Sequence, residues 1–142
     1  MASITFTFHE IPSFRFEKLL LRSFLPTLFV EEKVPFQKIG YIFCSDAFLL
    51  AMNKEYLKHD TYTDILTFSL SEPPQPVISE IYISIERVRY NAGKFGVPFV
   101  NELHRVIIHG LLHLCGYTDH TPELKNEMTQ KEDYYLEKLG ST

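Results

Sequence analysis

The sequence predicts an α+β fold: one domain in which a small mixed sheet of four strands carries helices packed on it, with a metal-binding helix near the C-terminus. Three observations carry this. Short alternating segments interleave with longer helical ones, in the order strand, helix, strand, helix, strand, strand, then helices. The chain has 142 residues, a length typical of one domain and sufficient to bury a core. No internal repeat or low-complexity tract divides residues 1–142 into smaller units.

Each element has its own signature. Ile4-Thr5-Phe6-Thr7-Phe8 alternates apolar and polar as a half-buried strand does. From Ser13 to Glu31, Phe14, Phe16, Leu19, Leu20 and Phe24 fit a helical face, which Pro26 should disturb or end. Lys38 to Cys44 reads as a second strand, and Ser45-Asp46 caps a helix running to about Tyr56. Ile65 to Leu70 and Ile78 to Ser84 are strands separated by a loop, Ser71 to Pro76, whose three prolines cannot join a ladder. Ile85 to Phe95 is a helix ended by Gly96 and Pro98. Asn101 is the expected cap of the next helix, which runs to about Leu114. Pro122 to Leu139 is an amphipathic helix capped by Thr121, with Leu124, Met128, Tyr135 and Leu139 on its inner face.

Composition narrows the function classes. Hydrophobic residues make up 45% and charged residues 23%, and the formal net charge is −4, which argues against a chain coated in basic charge for non-specific nucleic-acid binding. A local basic cleft remains compatible with that charge. Two cysteines, Cys44 and Cys115, make no disulfide framework. No segment has transmembrane length, and the N-terminus shows neither a basic n-region nor a cleavage site. A cytosolic, reduced protein with no membrane partner is therefore expected.

The chemistry concentrates in His109-Gly110-Leu111-Leu112-His113-Leu114-Cys115-Gly116-Tyr117-Thr118-Asp119-His120. His109 and His113 are four apart, so on a helix they share a face and two imidazoles can converge on one ion. Gly116 can end that helix in a left-handed turn and bring the chain back over the same face. Asp119 or His120 would then complete three protein ligands with a position left open, the arrangement of catalytic zinc. A half-buried helix face with histidines is the blander account, but it does not explain the pair, the glycine and two further ligand types in sequence. Cys115 falls on a different helical face. His104 precedes His109 by five residues, off the metal face by about 140°, and is expected to be structural; His59 sits in a polar loop.

This block resembles that of the YbeY family, H-G-x-L-H-L-x-G-Y-D-H. Thr63-Asp64-Ile65-Leu66-Thr67-Phe68 is similar to the family's T-D-V-L-S-F. Ile78 to Ser84 corresponds to its G-D-I-x-I-S strand, and Asn53 and Tyr56 match a preceding N-x-x-Y element. The resemblance implies a zinc-dependent single-strand endoribonuclease holding one zinc per chain. It also implies a role in small-subunit ribosomal RNA maturation and ribosome assembly, with a ribosomal RNA precursor as substrate and ribosomal proteins or assembly factors as further partners. Three departures stand out. The position of the family's third histidine holds Asp119, with His120 one residue later as if Thr118 were inserted. Leu57 stands where an arginine commonly follows the tyrosine, and the G-D pair is Ser79-Glu80. An ungapped register favours Asp119 as third ligand, and residue type favours His120.

Asp64 and Glu80, from the family-like blocks, are the expected acid–base helpers. Arg105, one turn before His109, is the expected cation for RNA, ahead of Lys54, Lys58, Arg87, Arg89 and Lys94. The acidic last helix is expected to lie away from the substrate path. Two rival functions are a ribosome-associated binding factor with a structural zinc and a zinc peptidase. The peptidase lacks its glutamate: the H-E-x-x-H base position is Gly110.

Overall fold

The computed structural model describes residues 2–59 and 61–140. Its elements are β1 (Ser3–Phe8), α1 (Lys18–Glu32), β2 (Phe36–Cys44), α2 (Asp46–Leu57), β3 (Ile65–Ser69), β4 (Val77–Ser84), α3 (Ile85–Phe95), α4 (Phe99–Leu114) and α5 (Pro122–Leu139). The sheet order is β1-β2-β4-β3. β1, β2 and β4 run parallel and β3 runs antiparallel to β4, giving the expected mixed sheet.

Strand alternation assigns the two faces. Ile39, Tyr41, Ile81 and Ile83 are fully buried and join one core with Leu21, Leu25 and Leu28 of α1, Leu103, Ile107 and Leu111 of α4, and Tyr135 of α5. The opposite face of β3 and β4 is covered by α2, whose Leu49 buries against Cys44 and Leu66. Two contacts pin α4 to the sheet. The Tyr41 hydroxyl donates to the Ile107 carbonyl at 2.7 Å, a buried bond between the sheet centre and the middle of the helix. Gly110 lets the backbone come close: a Cβ there would lie 3.0 Å from Ile65 Cδ1 and 3.3 Å from two atoms of Ile81.

Several local expectations need correction. The first helix starts at Lys18 rather than near Ser13. Phe14 and Phe16 lie on the extended approach to it, where both rings meet Phe8 and Phe43 in an aromatic cluster. Pro26 sits inside α1 without ending it, because Leu25, Leu28 and Phe29 on either side are buried and their burial outweighs the one helical hydrogen bond that proline cannot make. Asn101 does not cap α4. Pro98 takes the N-cap position, and the Asn101 N–H bonds to its carbonyl at 3.1 Å inside the first turn. Leu124 is exposed, and Glu132 with Leu136 completes the inner face of α5 instead. The Ser45 and Thr121 caps form as expected, accepting from Phe48 N at 3.0 Å and Leu124 N at 3.1 Å.

Candidate functional site

α4 ends as its glycine foretold. Gly116 takes φ 105°, a left-handed value that suits glycine, and Tyr117 N–H bonds back to the Leu112 carbonyl at 3.1 Å. The reversed chain, Tyr117 to Thr121, then runs to the start of α5. It is anchored from the far side of the molecule. Glu32, at the end of α1, accepts from the Tyr117 hydroxyl at 2.8 Å, from Lys131 Nζ at 3.3 Å and from the Tyr135 hydroxyl. These donors hold the Glu32 carboxyl below its ordinary value, although burial pushes the other way.

Where the return passes α4, a cleft of about 280 Å³ opens, walled by Asp64, Glu102, His109, Asp119, Lys125 and Glu132 among others. It continues into a groove of about 560 Å³ along α4 and α5 that shares Phe95, Arg105 and Glu132. The half-buried His109 ring lies with Nδ1 at 2.6 Å from Glu132 Oε2. Burial pushes the imidazole pKa down, but the Glu132 hydrogen bond and the charges of Glu132, Asp64 and Asp119 push it up, and the net shift is upward. Burial raises the Asp64 carboxyl above its ordinary value against the pull of His109. Glu102 is raised likewise, by burial and then by the charge of Asp64.

Among the expected site residues, the fold therefore brings His109, Asp64, Asp119 and Arg105 to one cleft. His113 and His120 are exposed and do not line it. Among the described residues, no three His, Cys, Asp or Glu side chains form a group placed to hold a metal ion. The donor types themselves suit zinc: imidazole nitrogen and carboxylate oxygen are both normal ligands. The contact to Nδ1 leaves His109 Nε2 as the nitrogen that remains available for an ion.

Two expectations are not met, those for Glu80 and for the last helix. Glu80 belongs to the face of β4 opposite α4, exposed, with the Tyr82 hydroxyl donating to it at 3.1 Å, because it alternates with the core residue Ile81. Arg105 lines the cleft, and its Nη1 donates to Glu132 at 2.9 Å and its Nη2 to Asp133 at 2.7 Å, so the guanidinium also bridges α4 to α5. The last helix does not lie apart from the cleft: Lys125, Met128, Thr129 and Glu132 form one wall. Glu132 was hidden in the sequence among the other acidic residues of α5. Its spacing four from Met128 and Leu136, both buried, was the available signal.

The remaining candidates fall into place simply. His104 is buried, and burial lowers its pKa. Burial pushes the Cys115 thiol up to about 12, a value unsuited to a reactive thiolate. Gly110 faces the sheet, so a glutamate there would enter the core rather than the cleft, and the peptidase base has no place in this fold.

The family model described as Endoribonuclease YbeY matches residues 5–140. Endoribonuclease YbeY of Cytophaga hutchinsonii is 47% identical over 116 residues, covering 82% of this chain and 81% of that protein. Endoribonuclease YbeY of Flavobacterium psychrophilum is 52% identical over 99 residues, 70% of each chain. Among solved structures, the solution structure of TM1509 from Thermotoga maritima is similar, with a TM-score of 0.62 at 29% identity, covering 96% of this chain and 88% of that one. These likenesses favour an RNA-cleaving hydrolase over a binding factor or a peptidase.

Proposed function

The chain belongs to the YbeY family of endoribonucleases, and from that premise we propose that it cleaves single-stranded ribosomal RNA precursors in small-subunit maturation, using one zinc ion held by His109, His113 and either Asp119 or His120. The observation that carries the zinc reading is the 2.6 Å contact between Glu132 and His109 Nδ1, beside Asp119 in one cleft. A carboxylate on the outer nitrogen of an imidazole is the usual support of a histidine that ligates a metal. Zinc in such a site supplies Lewis-acid polarisation of a phosphoryl oxygen and acidification of a water.

The chain's own groups have separable tasks. Glu132 fixes the His109 ring and selects the tautomer that carries its proton on Nδ1. Arg105 balances the charge of Glu132 and Asp133 and so holds α5 against α4. Asp64 faces the same cleft with a carboxyl raised by burial, which suits it to take a proton from a nucleophile or return one to a leaving oxygen. His113 and either Asp119 or His120 would join His109 in holding the zinc. No described helix is long and apolar enough to cross a membrane. A cytoplasmic site of action, with ribosomal proteins or assembly factors as neighbours, accords with a ribosomal RNA substrate.

The test is cleavage of a ribosomal RNA precursor by the wild type and by His113→Ala, prepared identically, with zinc per chain measured in both. Cleavage by the wild type alone, with zinc lost from the variant, is the expected result. Equal cleavage by both would trace the activity to a contaminant and sink the proposal.

A further inference from the structure

Tyr62, Arg87 and Tyr90 form a stack beside the cleft that the chemistry described so far does not use. The Arg87 guanidinium carbon lies 5.0 Å from the centre of the Tyr62 ring and 5.1 Å from that of Tyr90. Its Nη2 donates to Asp46 at 2.7 Å and its Nε to the other oxygen of the same carboxylate at 3.4 Å, so the cation is fixed from α2 while the rings flank it. Arginine in this arrangement polarises both rings and holds them in place.

Both rings nevertheless stay in water: Tyr62 is 57% exposed and Tyr90 60%. Nothing in the core requires two large aromatic side chains here. Tyr62 lies two residues before Asp64, which lines the His109 cleft, and Arg87 is close enough to Asp64 to stabilise its charge. Tyr90 is on α3, one turn after Arg87. The stack adjoins the cleft through Asp64: Ser84 N–H donates to the Asp64 carbonyl at 2.9 Å, while the Ser84 hydroxyl accepts from Arg87 N–H at 3.1 Å and donates to Asp46 at 3.0 Å.

Exposed aromatic rings joined by an arginine, next to Asp64 of a nuclease cleft, match the chemistry of single-stranded nucleic acid. Each base offers a flat face for stacking whatever its identity, and the arginine adds cation–π attraction. We propose that Tyr62 and Tyr90 are base-stacking subsites for the single-stranded RNA segment flanking the scissile bond, held in register by Arg87. The proposal rests on the endoribonuclease reading of the cleft. It gives the chain an RNA contact that needs no excess of basic residues, in keeping with its net charge of −4.

The experiment is steady-state cleavage of a short, fluorescently labelled single-stranded oligoribonucleotide by the zinc-loaded wild type, Tyr62→Ala, Tyr90→Ala, Tyr62→Phe and Tyr90→Phe. Folding of each is checked by circular dichroism. Each alanine variant should raise KM on the order of 10-fold, the scale of one base–aromatic stack, with kcat nearly unchanged. The phenylalanine variants keep the ring and should stay near wild type. An abasic nucleotide at the stacked position should weaken wild-type binding by a similar factor and the matching alanine variant much less. If the wild type cleaves but the alanine variants keep its KM, or the phenylalanine variants lose as much as the alanine ones, the stacking proposal is overturned while the endoribonuclease reading stands. If the wild type neither binds nor cleaves the oligonucleotide, the reading beneath it fails as well.

Discussion

Glu132 Oε2 lies 2.6 Å from His109 Nδ1, joining the middle of α5 to the face of α4 that lines the cleft. The carboxylate is nearly buried and is also bound by Arg105 at 2.9 Å, so its position is fixed from two sides. Removing it should loosen the ring rather than the fold alone. Glu132→Ala is expected to weaken zinc binding about 10- to 100-fold, the usual effect of losing such a supporting group. Competition against a chelator measures it. Zinc affinity equal to wild type in a folded Glu132→Ala protein would reduce the contact to packing.

The choice between the two residues at the return loop is decided by zinc content. Asp119 lines the His109 cleft and His120 does not. Asp119→Ala should therefore lose zinc, and His120→Ala should retain most of it, both judged on protein with a native circular dichroism spectrum. The reverse pattern would make His120 the third ligand and require the loop to rotate by one residue.

Glu32 gathers three donors from the return loop and α5. Its replacement by alanine leaves the Tyr135 hydroxyl, on a buried residue, without that acceptor. A cost of about 1–3 kcal/mol follows for a hydrogen-bonded group of this kind, read from chemical unfolding at neutral pH. The pH dependence has a definite sign. The folded Glu32 carboxyl sits below its ordinary value of 4.5, so its stabilisation is complete above that pH and fades as pH falls through the lower folded value. The gap between wild type and Glu32→Ala should therefore narrow in acid. A gap that widens below pH 4.5 would contradict the assignment.

Gly110 sets how closely α4 approaches the sheet. A side chain there meets Ile65 and Ile81 at 3.0–3.3 Å from its first carbon onward. Gly110→Val should destabilise the protein by about 1–3 kcal/mol through overpacking, seen as a lower Tm. A glutamate at the same position should prevent folding outright rather than create a peptidase, since it would bury an unpaired charge against two isoleucines. Soluble, folded Gly110→Glu protein would show that α4 can lift off the sheet.

Local signals were strong wherever the chemistry was short-range. The Ser45 and Thr121 caps, the Gly96 and Gly116 turns and the ends of α3 and α5 follow from residues within a turn of the feature they specify. Pro26 and Asn101 misled because long-range packing decided both places. Burial around Pro26 carried α1 through it, and the chain reversal at Gly96 started α4 at Pro98 before Asn101 could cap it. The helical position of Arg105 was legible, but its carboxylate partners, 27 and 28 residues away on α5, were not.

Element order, the histidine helix with its glycine return, and the family were legible in the chain alone, because periodicity, caps and motif spacing are properties of neighbouring residues. The packed fold settled which of those residues meet. It sent Glu80 to the far face of the sheet and carried Asp64 to His109 across 45 residues of chain. It also chose Glu132, one acidic residue among several on α5, as the partner of the imidazole. The reason is physical: strand pairing and helix packing choose contacts by buried area and shape over long chain separations, and one sequence window carries no record of what the other side of the core will present.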